Sequence, residues 1–315
     1  MVMMSKNTAK NDGTYFLKLT KDKYNKVLSQ LPSNKSPDYY GVSSEHLKYA
    51  SEETNTHMRQ VMDEILSDIE QFSDPMISIS LAIMLHKGKN RDLSLVRSYR
   101  RIQVGTIVHK FIQRLVEKQC TEVVSKHAVK NQWGFSKGIS FLQCPVTREC
   151  LTKLSIEKHI PLYCVAADVQ SAFSCTNRVC QLFECRLQCE FGKLYLFTSG
   201  FFTNTDVILS SNNSFSERLS EWIGACQGGI RSAGQWKVYS VPLSSMISNS
   251  DIGAKFYNID FGLCLVADDS LALTTNENRF KIMSNIYNRY AQHYSIIYEF
   301  SKLELNIFGN IFVKI

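Results

Sequence analysis

Leu263-Cys264-Leu265-Val266-Ala267-Asp268-Asp269-Ser270-Leu271-Ala272-Leu273 sets two adjacent carboxylates between two apolar, strand-like arms. The pattern predicts a β-hairpin with Asp268 and Asp269 in its turn. Both arms want burial, and a carboxylate beside such a core needs a partner. No Lys or Arg lies within the stretch to supply one. A divalent metal would meet the need, since Mg²⁺ prefers carboxylate oxygens and leaves room for substrate phosphates. The competing reading is a plain polar hairpin tip, because Asp is a common turn residue.

Working outward, Leu162 to Ala167 is a continuous apolar run ending at Asp168. It reads as a buried strand that delivers a carboxylate at its tip. Val179, Leu182, Phe183 and Leu187 mark a helix stopping at Gly192. Thr205 to Ser210 and Phe215 onward read as strands, and Gly224 to Gly229 is a Gly-rich loop. Thr274-x-x-Glu277 is a capping box that would open a helix carrying Phe280, Met283, Tyr287 and Tyr294. Leu303, Leu305 and Ile307 alternate as a last strand. Upstream, Lys18 to Leu31 reads as a helix. Met58, Val61, Met62, Ile65, Leu66 and Ile69 recur at helical spacing, as do Ile107, Val108, Phe111, Ile112, Leu115 and Val116. The expected fold class is α+β, an antiparallel sheet backed by helices on one face. In it Asp168 and Asp268-Asp269 become neighbours. Three carboxylates from two elements could then converge on a pair of metal ions, a geometry suited to in-line phosphoryl transfer.

Composition sets wide bounds. The chain has 315 residues, 44% of them hydrophobic, enough for a full core. A net charge of +7 fits an anionic partner without demanding one. Ten cysteines include no Cys-x-x-Cys pair and no His at zinc-finger spacing, which argues against a structural zinc site. Cys175, Cys180, Cys185 and Cys189 share no single helical face and read as small apolar residues in a reducing compartment. Residues 1–13 are polar and read as a frayed, disordered N-terminus without a signal region. No apolar run approaches membrane-spanning length. The expectation is a soluble, intracellular protein of nucleus or cytoplasm, with no membrane partner.

A set of segments, taken in order, resembles the reverse transcriptases, most closely those of non-LTR (LINE-type) retrotransposons. Lys35-Ser36-Pro37-Asp38 with Gly41-Val42-Ser43-Ser44-Glu45-His46-Leu47-Lys48 resembles the family's N-terminal element. Leu85-His86-Lys87-Gly88-Lys89 and Ser98-Tyr99-Arg100-Arg101-Ile102 resemble its paired fingers motifs. Gln132-Trp133-Gly134-Phe135-Ser136-Lys137-Gly138 is similar to "QFGFRKG". Ala167-Asp168-Val169-Gln170-Ser171-Ala172-Phe173 matches "DxxxAF". Gly224-Ala225-Cys226-Gln227-Gly228-Gly229-Ile230-Arg231-Ser232 looks like "GVRQGxxxS", and Val266 to Asp269 looks like "YADD". Ser301-Lys302 through Phe308-Gly309 is similar to the lysine-bearing segment near the palm's end. Any one motif is weak; seven in order over residues 31 to 309 are specific.

The resemblance implies a right-hand polymerase, with fingers over 14–160 and a palm over 161–315. It implies that Asp168, Asp268 and Asp269 are catalytic metal ligands for two Mg²⁺ ions, with Mn²⁺ able to replace them. Lys87 and Arg100 would hold the incoming triphosphate, although a lone Lys or Arg is by default solvated charge. Phe173 would be the steric gate under the sugar; on spacing alone it reads as a core ring. Gln227 and Gly228 would line the nascent base pair, against the alternative of an ordinary turn. Lys302 would protonate the departing pyrophosphate, against a helix-end charge. The implied partners are an RNA template, a DNA primer and deoxynucleotides; oligomeric state is left open.

The chain also departs from the pattern. Val266 stands where the family has an aromatic, Ser174 where it usually has Asp, and Cys226 where it has Arg or Lys. No helical thumb follows Lys302, so weak duplex binding is expected. Two alternatives stay open. One is a truncated, catalytically weak or inactive retrotransposon remnant that only binds nucleic acid. The other is an RNA-directed RNA polymerase, disfavoured by Ala267 in place of Gly and by the bulk of Phe173.

Overall fold

A computed structural model describes residues 19–67, 74–88, 90–127, 131–136, 138–140, 142–188, 192–202, 205–211, 214–257, 259–299 and 304–308. The expected frayed segment 1–13 and Lys302 lie outside the described residues. In chain order the first helices are α1 (Lys21–Gln30), α2 (Ser44–Lys48), α3 (Glu52–Ser67) and α4 (Pro75–Ser78). Strands β1 (Ser80–His86) and β2 (Tyr99–Gly105) follow, then α5 (Ile107–His127) and α6 (Gln143–Glu157). Next come β3 (Leu162–Asp168), α7 (Ala172–Cys175), α8 (Arg178–Gln188) and α9 (Gly192–Gly200). Strands β4 (Asp206–Ser211), β5 (Ser214–Phe215) and β6 (Leu219–Ser220) precede α10 (Ser232–Asn249). The chain ends in β7 (Lys255–Phe256), β8 (Ile259–Asp260), β9 (Leu263–Val266), β10 (Asp269–Thr274), α11 (Glu277–Tyr294) and β11 (Glu304–Phe308). The fold class is α+β. Among the described residues no helix is long and apolar enough to cross a membrane.

The chain divides into two units. One comprises residues 1–125 and 182–232, the other 126–181 and 233–315. This differs from the contiguous division at residue 160. Strand β4 lies parallel to β1, with Ser80 opposite Val207 and Ile83 opposite Ser210, so residues 206–220 join the N-terminal sheet.

In the first unit, β2, β1, β4 and β5 form a mixed sheet, with β6 also paired to β4. Its helical core is built from the apolar stripes of α1, α3, α5 and α9. Tyr24, Leu28, Met62, Ile65, Phe111, Ile112, Val116 and Phe197 are all buried in one cluster, and the Tyr24 and Phe111 rings lie 5.0 Å apart. Asp38 is buried and ties the N-terminal motif to α5. Its carboxylate accepts from the Val42 amide at 2.9 Å and from the Ile107 amide at 2.8 Å. A carboxylate at a helix N-terminus satisfies amides that have no partner within the helix.

His109 is also buried in α5. Burial, with Lys110 beside it adding a smaller push, lowers its pKa from 6.5 to about 4. Between those values the unfolded chain binds a proton that the folded chain refuses, so stability rises with pH across the window. It is fully present above pH 6.5 and falls by about 3 kcal/mol as pH drops towards 4. His109→Gln should flatten that acid limb. Urea midpoints measured from pH 7 to 4 test this, and an unchanged slope would refute it.

The second unit carries an antiparallel sheet ordered β11-β3-β10-β9. Asp168 to Tyr163 of β3 run opposite Asp269 to Thr274 of β10. Its strands read as continuous apolar runs because both faces are covered. On one face Ala167, Leu263, Leu265 and Ala272 meet Trp236, Tyr239 and Leu243 of α10 and Met283, Ile286 and Tyr290 of α11. On the other, Cys164, Cys264, Leu271 and Leu273 meet Leu151 of α6 and Phe256 of the β7–β8 hairpin. Helices therefore cover both faces, not the single face expected from the sequence. The capping box is also corrected. Thr274 is the last, fully buried residue of β10, and the cap of α11 is Asn276, whose side chain accepts from the amides of Asn278 and Arg279. Strand pairing with Tyr163 had already claimed Thr274.

Candidate functional site

The hairpin and the apolar strand pair as the sequence predicts, but the turn is Ala267-Asp268 and not Asp268-Asp269, because pairing with Val266 and Asp168 draws Asp269 into the strand. Asp269 is the first residue of β10 and stands directly opposite Asp168, the last residue of β3. Directly opposed residues on an antiparallel pair project from the same face, their Cβ atoms about 5 Å apart. Both therefore follow the alternation of Cys164, Ala166, Leu271 and Leu273, on the face that α6 covers. Asp168 and Asp268 are half-buried and Asp269 is exposed. Past Asp168 the chain stays tied down: Gln170 donates to the Ile297 carbonyl at 2.7 Å, and Glu299 donates to the Asp168 carbonyl at 2.8 Å.

Among the described residues, no group of three or more His, Cys, Asp or Glu side chains is disposed to hold a metal ion. The register unites Asp168 with Asp269, while Asp268 occupies the two-residue turn between Val266 and Asp269. The donor chemistry still suits Mg²⁺, since all three candidates are hard oxygen donors. Like charges placed directly opposite also disfavour one another, which a cation would relieve.

The turn has an unusual backbone. Ala267 sits at φ 58°, in the left-handed region. A two-residue hairpin turn with positive φ at its first position normally takes Gly there, and for Ala the conformation is strained. Three hydrogen bonds hold it. Gln132, only 3% exposed, donates from Nε2 to the Ala267 carbonyl at 3.1 Å and accepts from the Ala267 amide on Oε1 at 3.1 Å. Trp236 Nε1 donates to the same carbonyl at 2.7 Å. The segment bearing Gln132 runs alongside β9: Leu265 donates to the Asn131 carbonyl at 2.8 Å and Trp133 to the Leu265 carbonyl at 2.7 Å. Gly134 donates to Gln132 Oε1 at 3.0 Å and passes so close to the turn that a Cβ there would lie 2.1 Å from the Ala267 nitrogen.

Two further side chains of the second unit make defined contacts. Phe173, on α7, is half-buried with its ring 5.8 Å from that of Trp236; it is thus packed against the residue that braces the turn. The Cys144 thiol of α6 hydrogen-bonds to Cys264 of β9. That bond lowers the Cys144 pKa, against burial and the nearby Asp269 charge, and raises that of Cys264.

The remaining candidates belong to the first unit. Lys87 directly follows β1, donating its amide to the Ser98 carbonyl at 2.8 Å and its Nζ to the Arg97 carbonyl at 2.9 Å. Arg100 is exposed on β2, opposite Leu85. Gln227 and Gly228 form a turn docked on β2. The Gln103 amide donates to the Gln227 carbonyl at 2.9 Å, and Gly228, at φ 105°, lies where a Cβ would come 3.2 Å from the Gln103 carbonyl oxygen. Gln103 itself donates to Glu221 at 3.0 Å, and Glu221 pairs with Arg101.

Gln132 and Trp236 were not singled out as site residues in the sequence. The Gln-Trp-Gly triplet was the available signal for Gln132, and Trp236 had none beyond a place in a helical stretch. No protein-family model matches the chain, and no curated protein matches it.

Proposed function

We propose that this chain is the fingers and palm of an RNA-directed DNA polymerase, adding deoxynucleotides to a primer 3′-hydroxyl on an RNA template. The observation that carries the reading is the direct opposition of Asp168 and Asp269 at the ends of two strands, with Asp268 in the adjoining turn. Asp168, Asp268 and Asp269 would hold two Mg²⁺ ions, which when bound supply charge neutralisation for the attacking and leaving oxygens. Lys87 and Arg100 would bind the triphosphate, Gln227 and Gly228 would border the nascent base pair, and Lys302 would give a proton to pyrophosphate. These assignments rest on the ordered motifs. The direct test is primer extension on RNA with deoxynucleotides and Mg²⁺, beside Asp268→Ala. Extension lost in the variant supports the reading; wild-type protein that never extends refutes it.

Phe173 would exclude a 2′-hydroxyl. Phe173→Val should raise ribonucleotide incorporation relative to deoxynucleotide by tenfold or more. Because the ring also contacts Trp236, the ratio of the two sugars is the quantity to read, not total activity. An unchanged ratio would make Phe173 a packing residue only.

A second reading, a nucleic-acid-binding chain without turnover, draws on one observation. Asp268 stands outside any three-residue ligand set among the described residues. It predicts template binding that Asp268→Ala leaves intact and no extension by either protein.

A further inference from the structure

We infer that Gln132 is a positioning residue that holds Ala267 in the left-handed region and so presents Asp268 and Asp269 at the end of the hairpin. The inference rests on the polymerase reading for what the carboxylates do, but the brace itself is read from the backbone.

Ala267 immediately precedes Asp268, and both of its backbone polar groups are used. Gln132 supplies one acceptor and one donor to that single residue from 135 positions away in the chain. Its own placement is fixed by the strand-like pairing of 131–133 with Leu265, by the Gly134 amide on Oε1, and by Nε2 donating to Ser240 Oγ at 3.4 Å. A left-handed Ala persists only where its surroundings over-determine it. Here a primary carboxamide fits well, because it offers a donor and an acceptor side by side to a backbone N–H and C=O. Leucine is apolar and one methylene shorter, and can do neither. Trp236 would keep one of the three bonds after that change, so the fold has a route to survive it.

If Gln132 acts through the strain at Ala267, removing the strain should remove the need for Gln132. Glycine adopts positive φ freely, so Ala267→Gly should rescue Gln132→Leu. A residue that mattered only for packing would gain nothing from that rescue.

The experiment uses the full chain as wild type, Gln132→Leu, Gln132→Leu/Ala267→Gly and Asp268→Ala. Amide hydrogen exchange over 263–273 reads the turn. Mn²⁺ affinity, from the spin-resonance signal of free Mn²⁺, reads the carboxylates, and primer extension reads the proposed chemistry. Gln132→Leu should speed exchange of the Ala267 amide at least tenfold and weaken Mn²⁺ binding about tenfold, and the double variant should recover most of both. Unchanged exchange, or a double variant no better than the single, overturns the inference. Should Gln132→Leu fail to fold, Gln132→Glu keeps the acceptor and loses only the donor. It should then show the same two changes at smaller size, and wild-type values would overturn the inference. Failure of the polymerase reading shows on other samples: Mn²⁺ affinity indifferent to Asp268→Ala, with no extension by wild type.

Discussion

Gly134→Ala is expected to destabilise the second unit by about 3 kcal/mol, the upper range for overpacking a filled site, and to abolish primer extension. The added Cβ would lie 2.1 Å from the Ala267 nitrogen and 2.9 Å from its Cα. Both atoms are backbone, so no rotamer change can make room. Either the 131–134 segment leaves β9, breaking the Trp133 and Leu265 hydrogen bonds, or the turn moves away from Gln132 and carries Asp268 with it. Differential scanning calorimetry should show a melting temperature lower by roughly 6 to 12 °C. A wild-type melting temperature would mean that the close approach of Gly134 to the turn is absent in solution.

Gly234→Ala is the internal control, and its sign is opposite. Gly234 lies inside α10, and a Cβ there meets nothing within 4 Å. Glycine within a helix is worse than alanine by about 0.5–1 kcal/mol, so this variant should be the more stable one. The same substitution at two glycines of one unit thus separates a conformational effect from a steric one.

The pair of strands that bring Asp168 to Asp269 was legible because Asp168 ends an unbroken apolar run and the arms on either side of Asp268-Asp269 are largely apolar. Burial demands that such runs pair. The amphipathic stripes of α3 and α5 were legible for the same reason. What the sequence hid were interactions over long chain separations. Strand β4 looks like any half-buried strand, and nothing local says that it pairs with β1 rather than β3. Thr274 satisfies a capping pattern, but the sheet had a stronger use for it. The turn was the least legible feature. Alanine ordinarily avoids positive φ, so Ala267 announced nothing. Its conformation becomes intelligible only once Gln132 and Trp236 are seen to hold it. Continuous apolar strands also conceal which face each residue takes, because alternation is lost when both faces are buried. That is why helices were expected on one face and are found on two.

Asp168→Asn should leave the chain folded, reduce primer extension about a thousandfold or more, and remove its thermal response to Mn²⁺. The first expectation follows from position. Asp168 is half-buried at the end of β3, its backbone carbonyl keeps the Glu299 amide in the variant, and asparagine preserves the size of the side chain. Neutralising one of two directly opposed carboxylates also removes a repulsion worth a few tenths to about 1 kcal/mol, so without metal the variant should melt at or above the wild-type temperature. The loss of activity follows if the carboxylate holds a metal that supplies several kcal/mol to the transition state, each 1.4 kcal/mol being about tenfold in rate. The metal response is the independent check. Ligand present at a hundred times its dissociation constant stabilises the folded state by about 2.7 kcal/mol. Wild-type protein should therefore melt higher in Mn²⁺ than in chelator, and Asp168→Asn should melt alike in both. A variant that is more stable than wild type without metal, less stable with it, and inactive throughout is the signature of a carboxylate retained for binding and not for folding. If instead wild type ignores Mn²⁺ and Asp168→Asn simply lowers the melting temperature, Asp168 is a structural strand end and the two-metal reading falls.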